Sequence, residues 1–128
     1  MSISTKLKLL YLEDDASVAN LYSRALGKAG YNVILEQDGA AGLELASSNT
    51  YDIILLDLML PHLSGIEILS RLREQIPPIK SKIVITTNLE QEGQARAAIE
   101  QQADGYLVKA DTTPRQLVDF LSRIDTGR

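Results

Sequence analysis

The sequence predicts an α/β fold: a doubly wound, five-stranded parallel sheet, built as one domain over residues 1–128. Three observations predict it. Short apolar runs alternate with helix-period segments about five times, and strict βα alternation requires a parallel sheet, because parallel strands need crossover helices. The first and third runs are almost continuously apolar, as suits strands covered on both faces. Both of those runs end abruptly in acid. Leu9-Leu10-Tyr11-Leu12 meets Glu13-Asp14-Asp15, and Asp52-Ile53-Ile54-Leu55-Leu56 meets Asp57.

The predicted strands are Lys6–Leu12, Asn32–Glu36, Asp52–Leu56, Lys82–Thr86 and Gly105–Val108. Val18, Leu21, Tyr22, Ala25 and Leu26 mark a first helix, ended by Gly30. Ala40, Leu43 and Ala46 mark a second, after Asp38-Gly39. Ile66, Leu69, Leu72 and Ile76 mark a third, opened by the capping box Ser64-x-x-Glu67 and stopped by Pro77-Pro78. A fourth, about Gln91 to Gln101, has a thin apolar face of Ala95, Ala98 and Ile99, with Gly93 near its start. The last has Thr113 as N-cap, Pro114 at the first turn and Gln116 three residues after the cap, then Leu117, Phe120, Leu121 and Ile124 on one face.

Bulk properties narrow the function. The chain is 45% hydrophobic and 23% charged, the balance of a folded globular domain, and its 128 residues suffice to bury a core. A net charge of −4 argues against a nucleic-acid surface. No apolar run approaches the ~20 residues of a membrane span, and the first residues lack the apolar stretch of a secretory signal. Without cysteine there are no disulfides or thiolate metal sites, in keeping with a reducing cytoplasm. The single histidine, His62, is too little for a His-based zinc site or a Ser-His-Asp triad.

In an open doubly wound sheet, ligands bind beyond the carboxyl ends of the strands. Those ends carry Glu13, Asp14 and Asp15 after the first strand, Asp57 after the third, Thr86 and Thr87 after the fourth, and Lys109 after the fifth. Right-handed crossovers place the first and third strands side by side, so Glu13, Asp14 and Asp57 share one pocket. Two like charges 4 Å apart repel by about 4 kcal/mol at an effective dielectric near 20, so three clustered carboxylates call for a cation. An all-oxygen set of this kind suits Mg²⁺. With Lys109 and a hydroxyl on the same rim, the parts for phosphoryl transfer are present. Singly, each residue has an ordinary reading: Asp15 as a helix cap, Asp57 as the start of a loop, Lys109 as a solvated charge, and Tyr106 as a half-buried strand aromatic. Their joint placement at four strand ends favours one site.

These segments resemble the receiver domains of two-component response regulators, over essentially the whole chain. Leu9 to Asp15 resembles the family's first strand and acidic pocket, and Asp52 to Pro61, continuing to Gly65, its phosphoacceptor strand and loop. Ile83-Val84-Ile85-Thr86-Thr87 resembles the fourth strand with its switch hydroxyl, which spacing from Lys109 assigns to Thr87; Ala103 to Lys109 resembles the fifth strand. The resemblance implies a flavodoxin-like (βα)5 fold with strand order 2-1-3-4-5. It further implies that Asp57 accepts a phosphoryl group from a sensor histidine kinase or phosphotransfer protein. Asp14 would bind Mg²⁺ directly, Glu13 through water and Met59 through its backbone carbonyl. Lys109 would pair with Asp57 and then with the phosphoryl group. Thr87 would swing to it, and Tyr106 would turn inward.

The implied protein is a cytoplasmic single-domain response regulator, a phosphoacceptor switch and not a conventional enzyme. It would signal to an unknown output protein, as a monomer or a weak homodimer through the fourth helix, fifth strand and fifth helix. Three residues depart from the family pattern. Ala110 stands where proline is common after a cis bond, Asn88 where a small residue is usual, and Gln102 where glycine usually ends the fourth helix. They leave open whether Lys109–Ala110 is cis or trans, and they motivate a competing reading, a receiver-like docking module with vestigial phosphorylation. A small phosphatase of the haloacid dehalogenase type fits poorly, since Met59 stands where its second aspartate is needed.

Overall fold

The structure, a computed structural model, describes residues 6–88, 93–124 and 126–127. Five strands, β1 (Lys8–Leu12), β2 (Asn32–Glu36), β3 (Ile53–Asp57), β4 (Lys82–Thr87) and β5 (Gly105–Val108), form one parallel sheet in the order β2-β1-β3-β4-β5. The helices are α1 (Ala16–Lys28), α2 (Gly39–Ser48), α3 (Gly65–Glu74), α4 (Gly93–Gln102) and α5 (Pro114–Ser122), with a single 3₁₀ turn over Lys109–Asp111. The predicted strand order and element order are those observed. No helix among the described residues is long and apolar enough to cross a membrane.

Period-two alternation in the strands divides the interior into two layers. Leu10, Leu12, Ile54, Leu56, Ile83 and Ile85 pack with Ile68, Leu69 and Leu72 of α3, Ala46 of α2 and Ile99 of α4. Leu9, Tyr11, Ile53, Leu55 and Val84 pack with Ala19, Tyr22 and Leu26 of α1 and Leu117 and Leu121 of α5. Every residue of β3 is buried, as an interior strand covered on both faces should be.

Helix starts are fixed by side-chain caps that sit at the carboxyl edge of the sheet. Asp15 accepts the N–H groups of Ser17 and Val18 at 3.0 and 3.1 Å, and Asp38 accepts that of Ala41 at 2.8 Å. Thr113 and Gln116 form the predicted reciprocal capping box on α5. On α3 the box is half made. Ser64 Oγ accepts the Glu67 N–H at 3.3 Å, while the Glu67 carboxylate pairs with Arg71 one turn on.

Two helix faces differ from the sequence reading. The packed face of α3 runs through Ile68, Leu69 and Leu72, whereas Ile66 is exposed and Ile76 is 92% exposed. The helix ends at Glu74 because the chain must leave the helical region before Pro77, and Gln75 is already extended. On α4, Ala95 and Ala98 face solvent and Ile99 alone is buried. Gln91, the predicted start of α4, lies outside the described residues.

Candidate functional site

The register sets the site. Leu12 lies opposite Leu56 and Asp57 opposite Thr86, so β1 delivers Glu13 and Asp14 to the level at which β3 delivers Asp57. The loop after Asp57 is held tightly. The Gly65 N–H donates to Leu58 O at 2.9 Å, and a Cβ on Gly65 would lie 2.2 Å from Asp57 O. The same loop is pinned on its far side, where the Gly39 N–H donates to Pro61 O at 3.0 Å. His62, in the left-handed region at φ 69°, turns its ring onto the Asp38 carboxylate.

Glu13, Asp14 and Asp57 each offer a carboxylate oxygen within 4.8 Å of the others. Glu13 is fully buried and Asp57 nearly so, whereas Asp14 is exposed. Both Asp57 oxygens are engaged: Oδ1 accepts the Met59 N–H at 3.1 Å, and Oδ2 accepts from Lys109 Nζ at 2.9 Å. Lys109 also hydrogen-bonds Glu13 Oε1, whose other oxygen accepts the Asp15 N–H at 3.2 Å. These groups line an open cleft of about 180 Å³, with Asn88 and Met59 on its walls.

The electrostatics follow from burial. Burial pushes the Glu13 carboxyl up against the pull of Lys109, and the Asp57 charge adds to the rise. Burial also opposes the Lys109 charge, yet its bonds to Glu13 and Asp57 outweigh that and hold the ammonium above its ordinary value. Burial, then the Glu13 charge, push the Tyr11 phenol up. One ammonium therefore faces three carboxylates, and the cluster keeps an excess of negative charge open to the cleft. Its oxygen spacing suits a hard cation. At Mg–O distances of about 2.1 Å, oxygens on one octahedral ion lie no more than about 4.2 Å apart, close to the 4.8 Å within which these three lie.

Every strand-end residue singled out in the sequence lies at this edge of the sheet. Thr87, completely buried, ends β4 opposite Val108. Tyr106 is half-buried on β5, with the Arg96 guanidinium 4.6 Å from its ring centroid. The Lys109–Ala110 bond is trans; the cis bond among the described residues is Ile76–Pro77. Lys109 thus reaches both buried carboxylates without a cis bond behind it. The loop after it is fastened instead by the Tyr22 hydroxyl, which donates to Thr112 O at 2.7 Å, and by Thr112 Oγ1, which donates to Val108 O at 2.8 Å. Sequence reasoning missed the Glu13–Lys109 pair, the Tyr22 tie and the His62–Asp38 latch. The Glu13–Lys109 pair could have been found from burial, since a carboxylate following four core residues needs a cation.

Comparison with known proteins agrees with the geometry. The family model of the response regulator receiver domain matches residues 9–122. The chain is 41% identical over 118 residues to the response regulator ArlR of Staphylococcus saprophyticus, covering 91% of this chain and 50% of that protein. It is 36% identical over 117 residues to ArlR of Staphylococcus aureus, again 91% of this chain and 50% of the relative. The chain thus spans about half the length of the curated relatives it matches. Among solved structures, the chemotaxis response regulator CheY4 of Vibrio cholerae is 29% identical with a TM-score of 0.82, covering 93% of this chain and 98% of that one. The receiver domain of a sensor histidine kinase from Pseudomonas aeruginosa, solved with magnesium ion coordinated in its active-site cleft, is 26% identical with a TM-score of 0.83, covering 97% of this chain and 100% of that one. With the fold, the acidic edge and these likenesses in agreement, the chain belongs to the family of response regulator receiver domains.

Proposed function

We propose that Asp57 is the phosphoacceptor of a Mg²⁺-dependent switch, charged by a sensor histidine kinase or a phosphotransfer protein and read by a separate output partner. The observation that carries the reading is the buried Lys109 bridge between Glu13 and Asp57, beside the exposed Asp14. An ammonium there orients the acceptor, and the remaining negative charge faces the cleft. Glu13, Asp14, Asp57 and the Met59 carbonyl are the groups that would hold Mg²⁺, with Glu13 acting through water. When bound, the ion supplies charge neutralisation to the phosphoryl oxygens.

In the reaction an Asp57 carboxylate oxygen attacks phosphorus in line. A P–O bond forms as the P–N bond to the donor imidazole breaks, and the imidazole leaves with its proton. The Met59 N–H and Lys109 hold the two carboxylate oxygens and so set the line of attack. The product adds negative charge and strong acceptor oxygens where a carboxylate stood. Lys109 then follows the charge from the carboxylate to the phosphoryl group. The Thr87 hydroxyl, next to the residue paired with Asp57, turns to the same oxygens. Tyr106 follows inward, which requires its ring and the Arg96 guanidinium to part or to travel together. Asn88, on the cleft wall, is placed to govern water access to the acyl phosphate and hence its lifetime. Docking through α4, β5 and α5, as partner face or weak homodimer, and a cytoplasmic location belong to the same reading. The docking module with a vestigial site finds no support here, because every acidic position and Lys109 are in place.

Intact mass after incubation with Mg²⁺ and acetyl phosphate tests the proposal. The expected result is the gain of one phosphoryl group, lost in Asp57→Asn and on chelation. No gain, or a gain that survives Asp57→Asn, overturns it.

A further inference from the structure

Behind Lys109, on the side away from the open cleft, the structure holds a second and much smaller cavity. Its volume is about 10 Å³, and Tyr11, Tyr22, Thr86, Lys109 and Thr112 contribute to its walls. Lys109 therefore separates two spaces, since it also lines the acidic cleft. Thr86 shares the β4 face of Val84, which packs toward α1 and α5. It follows Val84 on that face and, unlike Lys82 at the start of the strand, is buried. Thr86 is only 6% exposed, and its hydroxyl has no hydrogen-bond partner among the described residues. Buried hydroxyls in that condition are rare, because the desolvation cost is met by nothing.

A second group bordering the cavity has spare hydrogen-bonding capacity. An ammonium carries three N–H donors, and the Lys109 bonds to Glu13 and Asp57 use two. Tyr22, having donated its hydroxyl hydrogen to Thr112 O, keeps oxygen lone pairs to accept with. A void of about 10 Å³ with two to four polar partners is what one water molecule requires. It is too small for any larger ligand.

We propose that this cavity binds a single ordered water that joins Thr86 Oγ1 to the Lys109 ammonium, making Thr86 a positioning residue for Lys109 during phosphoryl transfer. The water accepts the third Lys109 N–H and donates to Thr86 Oγ1 and Tyr22 Oη. Through it, β4 holds the ammonium from behind while Glu13 and Asp57 hold it from the front. The rate consequence rests on the phosphoacceptor reading above; the water itself does not.

Thr86→Val and Thr86→Ser, made in the whole chain, separate the outcomes. A crystal structure at a resolution that shows waters should place one within hydrogen-bond distance of both Thr86 Oγ1 and Lys109 Nζ. Thr86→Ser should retain it, and the isosteric Thr86→Val should lose it. Phosphorylation by acetyl phosphate at saturating Mg²⁺ should slow about three- to tenfold in Thr86→Val, the worth of one hydrogen bond between neutral groups. Thr86→Ser, which keeps the hydroxyl, should stay within about twofold of wild type. Thr86→Val should also melt at lower temperature. A dry cavity overturns the proposal. So does a Thr86→Val protein that melts higher than wild type, as removal of an orphaned hydroxyl would cause, or one that phosphorylates at the wild-type rate. Crystallography detects the water whether or not Asp57 accepts a phosphoryl group, so failure of the phosphoacceptor reading and failure of this one are distinguishable.

Discussion

Replacing Lys109 by methionine keeps the stem of the side chain and removes the cation between two buried carboxylates. Its consequence can be worked from the distances. At an effective dielectric near 20, the attraction between Lys109 Nζ and Asp57 Oδ2 at 2.9 Å is about 6 kcal/mol, and the Glu13 bond is of similar size. Each pair among Glu13, Asp14 and Asp57 lies within 4.8 Å and repels by at least about 3.5 kcal/mol. The attractions and repulsions nearly cancel, so Lys109 is the compensating charge of the cluster. Lys109→Met leaves the repulsion and the buried carboxylates without it. Protonation of one carboxyl and entry of water limit the loss, which for a broken buried pair is about 3–5 kcal/mol. Asp57→Asn sheds two repulsions of about 3.5 kcal/mol and one attraction of about 6 kcal/mol, so it should change stability by no more than about 1 kcal/mol. The double variant should then lose less than the two single losses together. Urea unfolding in chelator gives these values; repeating it at saturating Mg²⁺ should return a large part of the Lys109→Met loss. A Lys109→Met protein within about 1 kcal/mol of wild type in chelator would refute the reasoning, as would a loss that Mg²⁺ leaves unchanged.

Three further outcomes are expected. Gly65→Ala places a Cβ 2.2 Å from Asp57 O and 2.6 Å from Leu58 Cα, backbone atoms that cannot rotate aside; it should cost about 1–3 kcal/mol in urea unfolding and slow phosphorylation by displacing Asp57. The His62 ring, and then the Ala41 N–H, hold the Asp38 carboxyl below its ordinary value of 3.8. The stability from that shift is present above 3.8 and is lost as pH falls through the depressed value; an NMR titration should show Asp38 moving back up in His62→Ala, and an unmoved midpoint would exclude the latch. Arg73→Met removes the donors to Gln102 O and Asp104 and should cost about 1–3 kcal/mol, with faster amide exchange over the end of α4 as its signature.

What the sequence made legible was whatever has a local cause. The parallel sheet followed from alternation, the adjacency of the first and third strands from handedness, and the acidic edge from carboxylates placed directly after apolar runs. Asp15 reads as a cap from its position alone, and it caps. Helix faces were less legible where two periodic readings fit the same residues. On α3, Ile66-Leu69-Leu72 and Ile68-Leu69-Leu72 are both helical spacings, and only the docking of the helix on the sheet chooses the second. The Glu13–Lys109 pair spans 96 residues, and no spacing rule reports it. Thr86 and Thr87 look alike as neighbours, yet strand parity sends one to each layer. Thr86 then lines a cavity between the sheet and the α1–α5 layer, while Thr87 ends its strand within the site.

The departure at Gln102 shows most clearly why a family pattern can be broken without loss. A glycine after a helix supplies a left-handed residue that lets the last carbonyls find partners. Gln102 adopts no such conformation; among the described non-glycine residues His62 is the one with positive φ. The carbonyl it leaves is taken by Arg73 Nε of α3 at 2.5 Å. The same guanidinium reaches Asp104 at 3.0 Å, and Asp104 in turn accepts the Ile83 N–H at 2.7 Å, where β4 begins. A cap that glycine makes from its own backbone is thus made here by a side chain from another helix. A local signal was replaced by a tertiary one. Sequence reading sees the glycine missing and cannot see the arginine arrive. Hence a motif departure is evidence of damage only once the groups it would orphan have been followed to their partners. At Gln102 they have partners, as does the loop behind Lys109, where the Tyr22 hydroxyl on Thr112 O fastens a loop whose Lys109–Ala110 bond is trans. The same test, applied to Thr86, finds a group still without one among the described residues, and that is why the water site is proposed there and not at Gln102 or Ala110.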